Sequence, residues 1–277
     1  MKKLVSFILC FFLLFFLRLE NIYALDNDIK IMKVGLLPYV SINRLVRTFS
    51  PIKKYIESEM GFEVVLLSAP NFKTFIERTE KRHYDIIFTA PHFALLTEQA
   101  GHYDRLARFS RQLKGYLIVH FSSDISSIQD LKGKTISAPG SLAIVSLLAE
   151  SYLVKNGLQD FTFLDLPSHN NVILSVVMNK ASAGIVAPSV YDMYGLKNPN
   201  KIRLLAEFGE LPSAIFMIDA KYSNDFQKKI KTLLLSFPNS SMGKDFFNKT
   251  RFNGLQEVSD ADMQSLEEYV RLLKKKL

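Results

Sequence analysis

The stretch Ile128–Gly157 most limits what this chain can fold into. Lys134 to Ala138 is a short β run and Pro139-Gly140 breaks it. Ser141 stands at a helix N-cap position, and Leu142 to Lys155 is a mostly apolar run of good helix formers that Asn156-Gly157 ends. A strand that feeds a helix in this way presents free backbone N–H groups and a partial positive charge beyond its carboxyl end, which suits a small anion. Such corners recur throughout α/β proteins, so the feature fixes architecture before it implies chemistry.

The same alternation runs along much of the chain. Ile29 to Leu37 reads as a strand closed by Pro38, Asn43 to Met60 as a helix with Pro51 at a kink or restart, and Phe62 to Leu67 as a second strand. Phe72 to Lys81 is a helix, Tyr84 to Phe88 a strand, and another helix runs to Ala100. Leu113 to Phe121 differs, being a long β run with no helix directly after it, as suits a strand that carries the chain between lobes. Beyond the opening stretch come a strand at Phe161–Leu166, a helix at Asn170–Asn179, a strand at Ala183–Ala187 and a short helix at Pro188–Tyr194. Lys201 to Ala206 and Ala214 to Ile218 read as strands that return the chain. The remainder is helical, with a capping-box pattern at Ser259–Asp262 and one apolar stripe through Met263, Leu266, Val270, Leu273 and Leu277. This order implies mostly parallel sheets with helices between their strands.

The first 24 residues carry a different signal. Lys2-Lys3 precedes an apolar run from Leu4 to Leu17, closed by Arg18 and Glu20, with a cleavage-like Ile22-Tyr23-Ala24. We read residues 1–24 as a secretory signal peptide, with an uncleaved anchor as the alternative, and hence a periplasmic location. The single cysteine, Cys10, falls inside that run, so the mature chain has neither disulfides nor a thiolate nucleophile. The whole chain carries a net charge of +8, reduced to about +6 by removal of the leader, which favours an anionic ligand or surface. An exported chain makes nucleic acid a poor partner. Neither a Walker loop nor a Gly-x-Gly-x-x-Gly occurs, and no cofactor or metal is expected.

Taken in order, Lys33-Val-Gly-Leu-Leu-Pro, Ser41-Ile-Asn-Arg-Leu, Pro51-Ile-Lys-Lys-Tyr-Ile-Glu-Ser-Glu-Met-Gly, Tyr84-Asp-Ile-Ile-Phe-Thr-Ala-Pro, Asp130-Leu-Lys-Gly-Lys-Thr, Pro139-Gly-Ser and Ser168-His169 resemble the periplasmic binding proteins of phosphate, phosphite and phosphonate ABC importers. The resemblance covers roughly residues 30–220 and implies a two-lobed type 2 periplasmic-binding fold. Each lobe is then a mostly parallel sheet flanked by helices, joined to the other by two crossing strands near Leu113–Phe121 and Lys201–Ile218. Lobe one takes residues 25–115 plus 208–277 and lobe two residues 116–207. It further implies a monomer that traps a small anion, phosphonate-, phosphite- or phosphate-like, for a membrane permease or a membrane sensor.

Residue by residue, Ser168-His169 matches the family's head-group pair and Ser141 the first residue of its hydroxylated turn. Leu142 and Ala143 stand where further small hydroxylated residues are usual, Thr89 where an aromatic ring is, and Ala187 where phosphonate binders hold an amino group with an acid. These departures point away from an aminoalkylphosphonate. The ligand-binding candidates are Tyr39 and Ser41 after the first strand, Thr89 after the third, Tyr116 on the crossing strand, Ser141, Ser168 and His169. Without the resemblance His169 reads as a loop histidine, His92 as equally a helix-surface residue, Asp85 as an acid paired within its own lobe, and Arg111 and Lys114 as charge near the hinge. An enzyme on the same fold is the competing reading. It needs a base with an orienting partner, and His169 has no evident acid for that role.

Overall fold

The computed structural model describes residues 29–250 and 252–277. The leader expected at residues 1–24, with Cys10, lies outside them.

Two sheets form, each with helices on its faces. The first contains β1 (Ile31–Leu36), β2 (Glu63–Leu67), β3 (Ile86–Thr89) and β4 (Tyr103–Phe109), then β10 (Ile215–Asp219) and β11 (Leu255–Gln256), in the order β11-β4-β10-β3-β1-β2. The second contains β5 (Leu113–His120), β6 (Lys134–Ala138), β7 (Phe161–Asp165), β8 (Ala183–Val186) and β9 (Ile202–Leu211), in the order β7-β6-β8-β5-β9.

Parallel pairing is confined to three strands of each sheet, β2-β1-β3 and β7-β6-β8, and the other pairs are antiparallel. The sheets are therefore mixed rather than mostly parallel. The reason lies in the two passages between them. β4 leads directly into β5 and β9 directly into β10, without crossover helices. Leu113 pairs with Leu211 in one sheet, Ile215 with Arg108 in the other, and the Phe109 N–H donates to the Ala214 carbonyl at 3.4 Å. β5 and β9 thus belong wholly to the second sheet, and residues 110–112 and 212–214 form two short adjacent links.

The helices follow the apolar spacing. α1 (Ile42–Met60) buries Leu45, Phe49, Ile52, Tyr55 and Ile56, runs unbroken past Pro51, and ends on Gly61 in the left-handed region. Phe49 packs on Phe88, and both lie with Phe109, Phe216 and Phe246 in one aromatic core beneath the first sheet. α2 (Phe72–Glu80), α3 (Pro91–Gln99), α4 (Ile144–Lys155), α5 (His169–Val177) and α6 (Pro188–Gly195) each follow a strand. α7 (Asn224–Ser236), α8 (Ser241–Thr250), α9 (Asp260–Gln264) and α10 (Glu267–Lys274) complete the chain. The Ser259–Asp262 capping box is present, and Met263, Leu266, Val270 and Leu273 are buried, whereas Leu277 is exposed.

One local expectation is corrected. Helix α4 starts at Ile144 with Ala143 as its N-cap, two residues beyond Ser141. Gly140 adopts a positive φ of 89°, and the Ala143 N–H donates to the Gly140 carbonyl, so Ser141 and Leu142 are spent in a turn before the helix begins.

Candidate functional site

The two sheets enclose a cavity of about 120 Å³. From the first sheet come Leu37 and Tyr39 after β1, Phe72 of α2, Phe88 of β3, and Ala90 to Phe93 at the start of α3. The second contributes Ala143 to Val145, His169, and Ala187 to Ser189. Phe109, Arg111, Gln112, Leu113, Ser213 and Ala214 close it from the links, with Phe252 beside them. The wall is mostly rings and aliphatic groups.

Among the described residues, five helices begin at this cavity: α2, α3, α4, α5 and α6. A helix start leaves N–H groups without intrahelical partners and carries partial positive charge. At several starts a side-chain oxygen takes up one of these donors. Asn71, Ser168, Ser223 and Ser259 do so at α2, α5, α7 and α9. At α3, α4 and α6 the N-caps are Ala90, Ala143 and Ala187, which have no such oxygen. Alanine is a poor N-cap, costing about 1 kcal/mol relative to Ser or Asn. All three alanine caps line one cavity, and since Pro91 and Pro188 carry no N–H, the open donors beside it are those of the residues that follow.

His169 is the first residue of α5 and is buried. Its Nδ1 accepts from the Ala187 N–H at 3.3 Å, which places the proton of the neutral ring on Nε2. Burial lowers its pKa to about 4, so the ring is neutral at pH 7. His92, at the second position of α3, is fully buried rather than on a helix surface. Its Nε2 donates to the Leu142 carbonyl at 2.9 Å, and burial likewise lowers its pKa to about 4. Among the described residues Arg111 is the one full cation on the cavity wall, and both its terminal nitrogens lie 3.4 Å from Asp192 Oδ2 of α6. No carboxylate among the described residues lines the cavity. Among the described residues no cluster of His, Cys, Asp and Glu has the arrangement of a metal site.

The residues singled out from the sequence fall into two groups. Tyr39 and His169 line the cavity together, with Tyr39 edge-on to Phe88 and its hydroxyl pKa raised by burial. Ser41, Thr89, Tyr116, Ser141 and Ser168 do not line it. Ser41 is exposed before α1. Thr89 is fully buried and lines a separate cavity. Tyr116 stands edge-on to Tyr191 at 5.5 Å. The Ser168 hydroxyl is occupied in capping, accepting from the Asn171 N–H and donating to Asn171 Oδ1 at 2.6 Å. Asp85 is held within its sheet by the Lys33 N–H, Lys221 Nζ and the Tyr222 hydroxyl. Lys114 pairs with Glu207 away from the cavity. Gln112, Ser189 and Ser213 join the wall without prior notice. Their only sequence signal is position, beside a link or just after a strand end.

Residues 34–263 match the family model of ABC transporter, phosphonate, periplasmic substrate-binding proteins. The chain belongs to this family. Solved structures agree on the fold of this binding protein. PhnD1 from Prochlorococcus marinus, in complex with methylphosphonate, aligns with a TM-score of 0.78 at 16% identity, over 89% of this chain and 99% of that one. A Xanthomonas citri protein bound to chloride ion gives 0.71 at 18%, over 90% and 100%. A binding protein component of an ABC phosphonate transporter from Pseudomonas aeruginosa gives 0.69 at 15%, over 90% and 98%. The two sheets flanked by helices are therefore those of the two-lobed periplasmic binding proteins, and the family's role is to bind a solute for an ABC transporter.

Proposed function

We propose that this binding protein, exported by residues 1–24 and acting as a monomer, captures a small organic anion with a short apolar body between its lobes and delivers it to the permease of an ABC importer. The observation that carries this reading is the convergence of three alanine-capped helix starts on one cavity. Backbone N–H groups there, the Arg111 guanidinium and the Nε2–H of His169 supply donors for an anionic head. The rings of Phe72, Phe88, Phe93, Phe109 and Phe252 supply the surface for a tail.

The lobes divide at the two links, residues 29–112 with 212–277 forming one and residues 113–211 the other. Bending at these links opens and closes the cleft. His169 is oriented by a backbone amide rather than by a carboxylate, which supports binding without turnover. Several charge-assisted hydrogen bonds of about 1.5–3 kcal/mol each suffice for micromolar affinity after ordering costs.

A thermal-shift series with methylphosphonate, ethylphosphonate, ethanesulfonate and inorganic phosphate at fixed ionic strength tests the proposal. An organic anion should raise the melting temperature in a saturable way, and phosphate should not. An equal or larger response to phosphate contradicts the apolar-body requirement.

A further inference from the structure

A second cavity, of about 180 Å³, lies behind α3 in the first lobe. One side is apolar, with Phe75 and Ile76 of α2 and Phe93 and Leu96 of α3. The other side carries Thr89 at the end of β3, Thr97 in the last turn of α3 and His102 just beyond that helix. Thr89 is 0% and Thr97 4% exposed. Thr89 Oγ1, Thr97 Oγ1 and His102 Nδ1 are all buried and without a hydrogen-bond partner among the described residues.

A buried polar group without a partner costs about 1–3 kcal/mol. Two hydroxyls and an imidazole nitrogen around one space therefore describe a polar wall built to be met by something that hydrogen-bonds. Among the described residues the only Asp, Glu, Lys or Arg on the wall, Glu80, is exposed. With no buried charge to pair it, an ion placed here would be uncompensated, so the fitting guest is neutral. The space is comparable to the roughly 150 Å³ engineered cavity that admits benzene. Phe93 forms part of the wall of both this cavity and the cleft, so a guest in either rests against the same ring.

We infer that this cavity is a second small-molecule site, separate from the solute cleft, for a compact neutral molecule bearing a hydroxyl on an apolar ring. The ring lies against Phe75 and Phe93, and the hydroxyl exchanges hydrogen bonds with Thr89 and Thr97.

Phenol is the probe. It is titrated into the whole protein while the Thr89 methyl resonance is followed by NMR, with benzene as the control that lacks the hydroxyl. The expected result is a saturable shift with phenol, weakened about three- to tenfold in Thr97→Val and restored in Thr97→Ser, with benzene binding more weakly than phenol. No saturable shift, which leaves the cavity to water, overturns the inference. So does equal phenol affinity in wild type and Thr97→Val when the amide spectrum of Thr97→Val shows it folded.

Discussion

The His92 imidazole joins the two lobes, donating from Nε2 to the Leu142 carbonyl oxygen across 2.9 Å. His92 lies in the first turn of α3 and Leu142 in the turn that precedes α4, so the bond spans the cleft beside the solute cavity. Opening the lobes breaks it. His92→Phe keeps a ring of similar shape and removes the donor, leaving the carbonyl unmet in the closed form. We expect the dissociation constant for the best-bound organic anion to rise about tenfold, mainly through faster release. Stopped-flow dissociation measures it, and His92→Gln, which keeps a donor, should recover part of the loss.

The alanine caps make a prediction of opposite signs. Ala143 has the extended N-cap backbone, φ −73° and ψ 135°, that a serine cap also adopts. Ala143→Ser should stabilise the fold by about 1 kcal/mol, because the new hydroxyl accepts from an open N–H of α4. The same hydroxyl then competes with the solute for that donor, so affinity should fall several-fold. Urea unfolding and calorimetric titration of the one variant read both effects, and a variant that gains stability with unchanged affinity removes α4 from the binding account.

Acid should destabilise the protein through its two buried histidines. In the folded chain the pKa values of His92 and His169 sit near 4, against an ordinary value of 6.5. Between these values the unfolded chain binds more protons, so stability falls as pH drops through that window and the full neutral-state stability is present above it. Each ring contributes about 3 kcal/mol to this loss. Urea melts at several pH values check it: a His92→Gln, His169→Gln double variant should show a flatter decline than wild type over the same range.

Gly243 in α8 has no room for a side chain. A Cβ there would lie 1.8 Å from the Phe237 carbonyl oxygen, and backbone cannot yield as a side-chain tip can. Gly243→Ala should cost about 3 kcal/mol in urea unfolding. Gly243 lies outside the cavity wall, so solute affinity of the folded fraction should not change.

The parts of this fold that were legible in the sequence are those set by local pattern. The Lys134–Ala138 strand and the presence of a helix after it follow from a short β run broken by Pro139-Gly140, though not the helix's first residue. Strand β4 was not legible, because Asp104, Arg105 and Arg108 interrupt its alternation. Arg105 is met by Glu98 and Asp260, and Arg108 by Asp262, acids that lie up to 155 residues away in the chain. Thr89 illustrates the same limit at the site. The end of β3 reaches the cleft through Ala90, while the Thr89 side chain belongs to the cavity behind α3. His92 reads as equally suited to a helix surface, yet it is buried, against Phe93 and with its Nε2 on the Leu142 carbonyl. Hydroxyls were the visible signal for an anion site, yet Ser168 caps its own helix. The open donors follow alanines, whose contribution is the absence of a capping oxygen.

The central claim is that backbone amides at the starts of α3, α4 and α6 hold the anionic head of the solute. Amide-resolved NMR during titration with ethylphosphonate tests it most directly. The account predicts saturable shifts at the N–H groups of Phe93, Val145 and Ser189 that share one dissociation constant. Saturable binding that leaves those three amides unmoved, with the shifts gathered elsewhere, would contradict it.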